Sequence, residues 1–184
     1  MKKRKEAGKT MGSERFPPQN KPCCEKEIMN IYEILEIGAI SIDLEAEEKN
    51  DVLSELVGLL VSSGKVKKDD KTEILKKVKE RESLGSTGIG KGIAIPHAKS
   101  AKMKKMGAAF GISKKGLDFR SLDGEATHIF FLLVDPGETP GPHLKALAKI
   151  SRLLDDKFIR DKLRSATSAK EILKIIKEEE QKKG

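Results

Sequence analysis

Residues 128–134 read HIFFLLV, six uninterrupted apolar side chains after one histidine. The run is far short of the roughly 20 apolar residues a membrane helix requires, and its Phe and Leu content suits a central strand buried on both faces. Working outward, GAAFGIS at 107–113 reads as a neighbouring strand. In GAISIDL at 38–44, Ile40, Ile42 and Leu44 alternate with Ser41 and Asp43, predicting a further short strand. Helical spacing lies between these segments. From Asn50 to Ser63, Val52, Leu53, Leu56, Val57, Leu59 and Leu60 recur at steps of three and four, and Gly64 follows as a stop. Asp69 to Glu82 carries Ile74, Leu75 and Val78 on one face and lysines on the other, with Arg81 at its end. Downstream, Asp135-Pro136-Gly137 and Pro140-Gly141-Pro142 punctuate the chain before a helix from about His143 to Leu154. A short helix is expected over 158–164. The Ser168 and Glu171 pair has capping-box spacing and opens a final helix. Interleaved helices and strands place the chain in the α/β class, a single domain with one sheet covered by helices; strand order is not legible.

The 184 residues suit one ordinary domain. The net charge of +8 looks like a nucleic-acid signal until it is divided along the chain: residues 1–27 contribute +4 and residues 28–184 the other +4. The first segment contains Pro17, Pro18 and Pro22 and has no apolar periodicity, so it reads as a disordered basic tail ahead of a domain spanning 28–184. No nucleic-acid partner is expected. The basic start lacks the apolar stretch of a signal peptide, giving a cytoplasmic expectation. Cys23 and Cys24 are adjacent and suit neither a disulfide framework nor a zinc site. Three widely separated histidines without carboxylates at ligand spacing predict no metal, and no cofactor is expected.

The informative loop is LGSTGIGKGIAIPHAK, residues 84–99. Gly85 to Lys91 has phosphate-loop spacing, but Gly92 stands where a magnesium-binding hydroxyl belongs and the preceding segment is a charged helix. The Gly88, Gly90, Gly92 pattern also lacks the dinucleotide fingerprint's spacing. His97 offers different chemistry. A neutral imidazole keeps an unprotonated nitrogen near pH 7 and can attack a phosphoryl group without a dedicated base. Pro96 fixes the chain before it. The backbones of Thr87, Gly88, Gly90 and Gly92 are candidate anion donors, and Arg81 offers a forked pair of N–H groups. His143 falls at an expected helix start, where the dipole disfavours imidazolium and a neutral ring can donate to an anion. Lys91, Lys99, Lys102, Lys104 and Lys105 read as a solvated face, and His128 as a structural histidine near a strand end.

The stretch RESLGSTGIGKGIAIPH, from Arg81 to His97, resembles the active-site signature of the fructose/mannitol-type IIA domain of the bacterial phosphotransferase system, a family that includes nitrogen-regulatory IIA proteins. The likeness runs from about Ile31 to Glu180 and takes in GLDF at 116–119, FFLLV and the His143-Leu144 helix. The resemblance implies a mixed sheet of about five strands flanked by helices. It implies that His97 is the phosphorylated histidine, accepting phosphate from the phosphocarrier HPr and passing it to a IIB component, with Arg81 and His143 stabilising the group. A membrane connection would arise only indirectly, through a IIC component. In the nitrogen-regulatory kind, the phosphorylation state of His97 controls binding to regulatory proteins instead.

Overall fold

The computed structural model describes residues 30–137 and 140–183; the expected tail at 1–27 lies outside them. In chain order the elements are α1 (Ile31–Ile34), β1 (Leu35–Ser41), α2 (Lys49–Ser62), a 3-10 turn (Lys68–Asp70), α3 (Lys71–Ser83), β2 (Gly88–Gly90), β3 (Ile93–Ala94), β4 (His97–Lys99), β5 (Gly107–Leu117), β6 (Thr127–Asp135), α4 (Pro140–Asp155), α5 (Lys157–Ser165) and α6 (Ala169–Lys183). The strands form one mixed sheet in the order β1-β5-β6-β3-β2, with β4 also paired to β6. This is the α/β architecture expected, with six strands among the described residues.

β6 is central because its side chains leave it no other place: every residue except half-buried His128 is buried. It pairs antiparallel with β5 on one edge, and β1 joins β5 in parallel. Phe110 and Phe131 meet edge-on at 5.7 Å between ring centres, and Phe119 and Phe130 at 5.3 Å, the arrangement ring quadrupoles favour. α2 buries Val52, Leu53, Leu56, Val57 and Leu60 against β1 and β5, and Gly64 follows it with φ of 77°.

On its other edge β6 meets β3 and β4 in one continuous register. Ile93 lies opposite Ile129, and His97 opposite Leu133, so the offset is the same in both strands. Pro96 interrupts the pairing only because it has no N–H to contribute; its carbonyl still accepts from the Leu133 N–H at 2.9 Å. The proline therefore delivers His97 to a fixed place beside the central strand.

Several elements differ from expectation: β5 runs on to Leu117 and α4 begins at Pro140 instead of His143. β1 starts at Leu35 and ends at Ser41, where the Ser41 hydroxyl bonds to Asp43 and turns the chain; Leu44 has left the strand and packs over Gly111. α1 was not anticipated. An Asn30/Glu33 capping box and the distant Glu180 carboxylate, which accepts the N–H groups of Ile31 and Tyr32, hold it. At α6 the Ser168 hydroxyl accepts the Glu171 N–H as expected, but the Glu171 carboxylate reaches Thr167 instead of closing the box on Ser168.

Candidate active site

Four elements converge on His97. β4 carries it, α3 packs on β4 and brings Arg81 in its last turn, α4 contributes His143 in its first turn, and β6 ends beside them at Asp135. His97 Nδ1 lies 2.9 Å from the Ile95 carbonyl oxygen, and Arg81 Nε donates to His97 Nε2 at 3.2 Å. A carbonyl can only accept and a guanidinium can only donate. Both partners therefore demand the same tautomer, with the proton on Nδ1 and the lone pair on Nε2. Burial, foremost, and the Arg81 charge hold the His97 pKa below the ordinary histidine value, against the opposing pull of the Ile95 carbonyl and Glu82. The ring is neutral near pH 7.

His143 stands with its ring centre 5.6 Å from that of His97, the planes tilted by 57°. Its side chain is almost wholly buried, and burial is the chief reason its pKa is also lowered; His97 and Lys99 act in the same direction and Asp135 opposes them. Arg81 is anchored as well, its Nη1 donating to the Gly85 carbonyl at 3.2 Å. Arg81, His97 and His143, chosen from the sequence, thus meet in space.

The glycine loop serves a different purpose from the one its spacing suggests. Thr87 N–H donates to the Glu82 carboxylate and Gly88 N–H to the Ser86 hydroxyl, so both donors are already engaged. Gly90 pairs with Ile93 around Lys91 and Gly92, which have φ of 57° and 73°, the two positive angles of a tight hairpin turn. That turn lies about five residues along β6 from the level of His97, about 17 Å at strand rise. Gly90 and Gly92 make the turn rather than line the histidine. Lys91 reaches Asp155.

Sequence reasoning missed three residues. Glu82 is buried on α3, accepts the Thr87 hydroxyl and N–H, and pairs with Lys49. Lys49 also donates to the Phe119 carbonyl at 3.0 Å. This network fastens the loop to the helix turn that carries Arg81. Its signal was present: Glu82 stands four residues after Val78 and eight after Ile74, on the apolar face. The third is Asp135, read only as part of a turn. His128 is packed apart from these groups, its Nδ1 3.0 Å from the Ser113 carbonyl and its ring against Gly116. Among the described residues no cluster of metal-ligating side chains forms, and no helix is long and apolar enough to cross a membrane.

Two of the exposed large apolar side chains adjoin site residues in sequence: Leu84, just beyond α3, is 84% exposed, and Leu144, next to His143, 63%. Residues 33–179 match the family model described as phosphoenolpyruvate-dependent sugar phosphotransferase system, EIIA 2. The chain belongs to this family. This IIA domain is 40% identical over 148 residues to the fructose-specific EIIABC component of Bacillus subtilis, covering 80% of this chain and 23% of that one. It is 34% identical over 148 residues to a nitrogen regulatory protein of Bradyrhizobium diazoefficiens, covering 80% of this chain and 95% of the relative. Among solved structures, nitrogen regulatory protein IIA-Ntr from Neisseria meningitidis superposes with a TM-score of 0.73 at 32% identity, covering 79% of this chain and 98% of the other. As a IIA domain it is a component of a phosphotransferase system.

Proposed function

We propose that this IIA domain carries a phosphoryl group on His97 Nε2, taken from phospho-HPr and passed to a IIB component for sugar uptake. The observation that supports this best is the double constraint on the His97 ring: Ile95 holds the Nδ1 proton and leaves the Nε2 lone pair directed at Arg81. The lone pair attacks phosphorus in line, the bond between phosphorus and HPr breaks, and its electron pair leaves with HPr. No proton has to leave His97 for the attack. Arg81 gives up its hold on Nε2 as the new bond forms and turns its N–H groups to the phosphoryl oxygens, a charge-assisted contact that grows with the transferring charge. The imidazole becomes the leaving group when a IIB acceptor attacks.

Exposed Leu84 and Leu144 beside the charged groups suit a docking protein rather than an enclosed small molecule. The test is incubation with phosphoenolpyruvate, enzyme I and HPr, followed by mass spectrometry under alkaline conditions. A single acid-labile adduct on His97, lost in His97→Ala, is expected; an adduct that persists in His97→Ala overturns the assignment. A second reading has the same chemistry and another output: phosphorylation of His97 switches binding to regulatory proteins. Its support is the 34% identity to a nitrogen regulatory protein. Sugar phosphorylation reconstituted with IIB and IIC favours transport, and phosphorylation-dependent capture of a regulatory partner without it favours the second.

A further inference from the structure

Asp135 closes β6 with a buried carboxylate. Its Oδ1 accepts the Gly137 N–H at 2.6 Å, and its Oδ2 lies 3.5 Å from His143 Nδ1. Both side chains are nearly sealed from solvent, at 6% and 7% exposure, and His143 Nδ1 makes no hydrogen bond of good geometry. A buried imidazole nitrogen 3.5 Å from a carboxylate oxygen, just beyond ordinary hydrogen-bond length, is an interaction waiting for a proton or a small movement.

A neutral imidazole has one N–H. Placed on Nδ1 it serves Asp135 and leaves nothing to donate on the other side of the ring; placed on Nε2 it leaves Asp135 unserved. Only the imidazolium can donate to Asp135 and to a phosphoryl oxygen at once. With His97 unmodified, burial keeps His143 neutral, and the groups facing it are Asp135 from β6 and His97 and Lys99 from β4. Phosphorylation sets a phosphoryl group of about −2 beside it, only partly offset by the positive charge the His97 ring takes on while Nδ1 keeps its proton, so His143 then stands between two anionic groups.

We propose that phosphorylation of His97 draws a solvent proton onto His143, and that Asp135 is the positioning residue that holds the resulting imidazolium. The proposal rests on the carrier reading. The proton adds to the vacant nitrogen of His143 as the phosphoryl group arrives and returns to solvent when it leaves; no other bond changes. By reciprocity, protons favour the phosphorylated form, which gains population as pH falls between the two titration points of His143.

The experiment is ¹⁵N-imidazole NMR titration of the full chain, before and after phosphorylation by phosphoenolpyruvate, enzyme I and HPr. His143 titrates at least one pH unit higher in the phosphorylated protein, a tenfold gain in proton affinity, and Asp135→Asn removes at least half of that rise. An identical His143 titration in both states overturns the proposal, and an undiminished rise in Asp135→Asn removes Asp135 from it. Should Asp135→Asn unfold, the pH dependence of the phosphorylation equilibrium decides: wild type keeps a slope that His143→Gln loses, and equal slopes overturn the proposal. Mass spectrometry separates the two readings beforehand, since an adduct on His97 with unchanged His143 titration defeats this one alone, whereas no adduct on His97 defeats the carrier reading and this one with it.

Discussion

Arg81 Nε and His97 Nε2 are 3.2 Å apart, with the arginine donating into the lone pair that the proposed carrier function makes the nucleophile. The cation is thus positioned before any phosphate arrives, and phosphoryl transfer must displace it from nitrogen to oxygen. Arg81 is costly to lose on both counts. Arg81→Ala is expected to slow adduct formation by about 100-fold, the usual scale for one oriented donor at a developing charge. Arg81→Lys keeps the charge but not the fork and falls between the two. Quench-flow transfer from labelled phospho-HPr measures both, and an Arg81→Ala rate within threefold of wild type contradicts the role.

Two neutral histidines, His143 buried and His97 half-buried, make the fold sensitive to acid. His97 and His143 both have pKa values lowered from 6.5, chiefly by burial, so the unfolded chain binds protons that the native one refuses. Stability is full above about pH 6.5 and falls as pH drops through that value toward the lower native ones. Melting temperatures recorded from pH 7.5 to 5 should decline over this window, and His97→Gln/His143→Gln should decline less. The rate of phosphoryl acceptance, which needs neutral His97, should stay level through pH 7 and drop only below the ordinary histidine range.

The parts of this fold legible in the sequence are those where one residue type answers to its immediate neighbours. The spacing in α2 and the unbroken apolar run of β6 locate both elements within a residue or so. α1 carries a local Asn30/Glu33 capping pair, but its four residues are too few to show a helical period and its other cap, Glu180, lies 149 positions away. The site shows the same division. Pro96 before His97 and Arg81 at a helix end are local patterns, whereas the glycines at 90 and 92 misled because a hairpin turn and an anion cradle call for the same residue. Gly88 is fixed by something no local reading holds: a Cβ there would lie 2.9 Å from the Ser121 backbone. Asp135 and Lys49 acquire their roles only when β6 and α2 are brought beside the loop.

The Lys49 and Glu82 pair shows what that assembly costs to undo. Glu82 is buried and holds both Thr87 donors, while Lys49 retains 22% side-chain exposure. Glu82→Ala strands a partly buried ammonium and two loop donors, and about 3 kcal/mol of stability should go, the low end for a broken buried pair. Lys49→Met with Glu82→Gln removes both charges together and should cost less than the two single changes added. Urea unfolding of the four proteins gives the coupling, and strict additivity would mean that the pair does not act as a unit.

Leu84 and Leu144 remain to be accounted for, because large apolar side chains with this exposure bring no packing to the isolated domain. Each adjoins a residue of the charged site: Leu84 follows the turn bearing Arg81, and Leu144 follows His143. A protein docking over His97 would bury both and leave the charges at its centre in a drier setting, where they act more strongly. Leu84→Asp and Leu144→Asp should therefore leave unfolding free energy within about 0.5 kcal/mol of wild type. Fully burying a leucine side chain is worth about 1.5–3 kcal/mol and an aspartate there would have to be desolvated instead, so each change should raise the KM for phospho-HPr about tenfold and the pair more, with kcat little altered. Steady-state transfer at varied phospho-HPr concentration separates the two constants. Unchanged KM in the double variant would place docking elsewhere, and a fall in kcat alone would move these leucines from the docking surface into the chemistry.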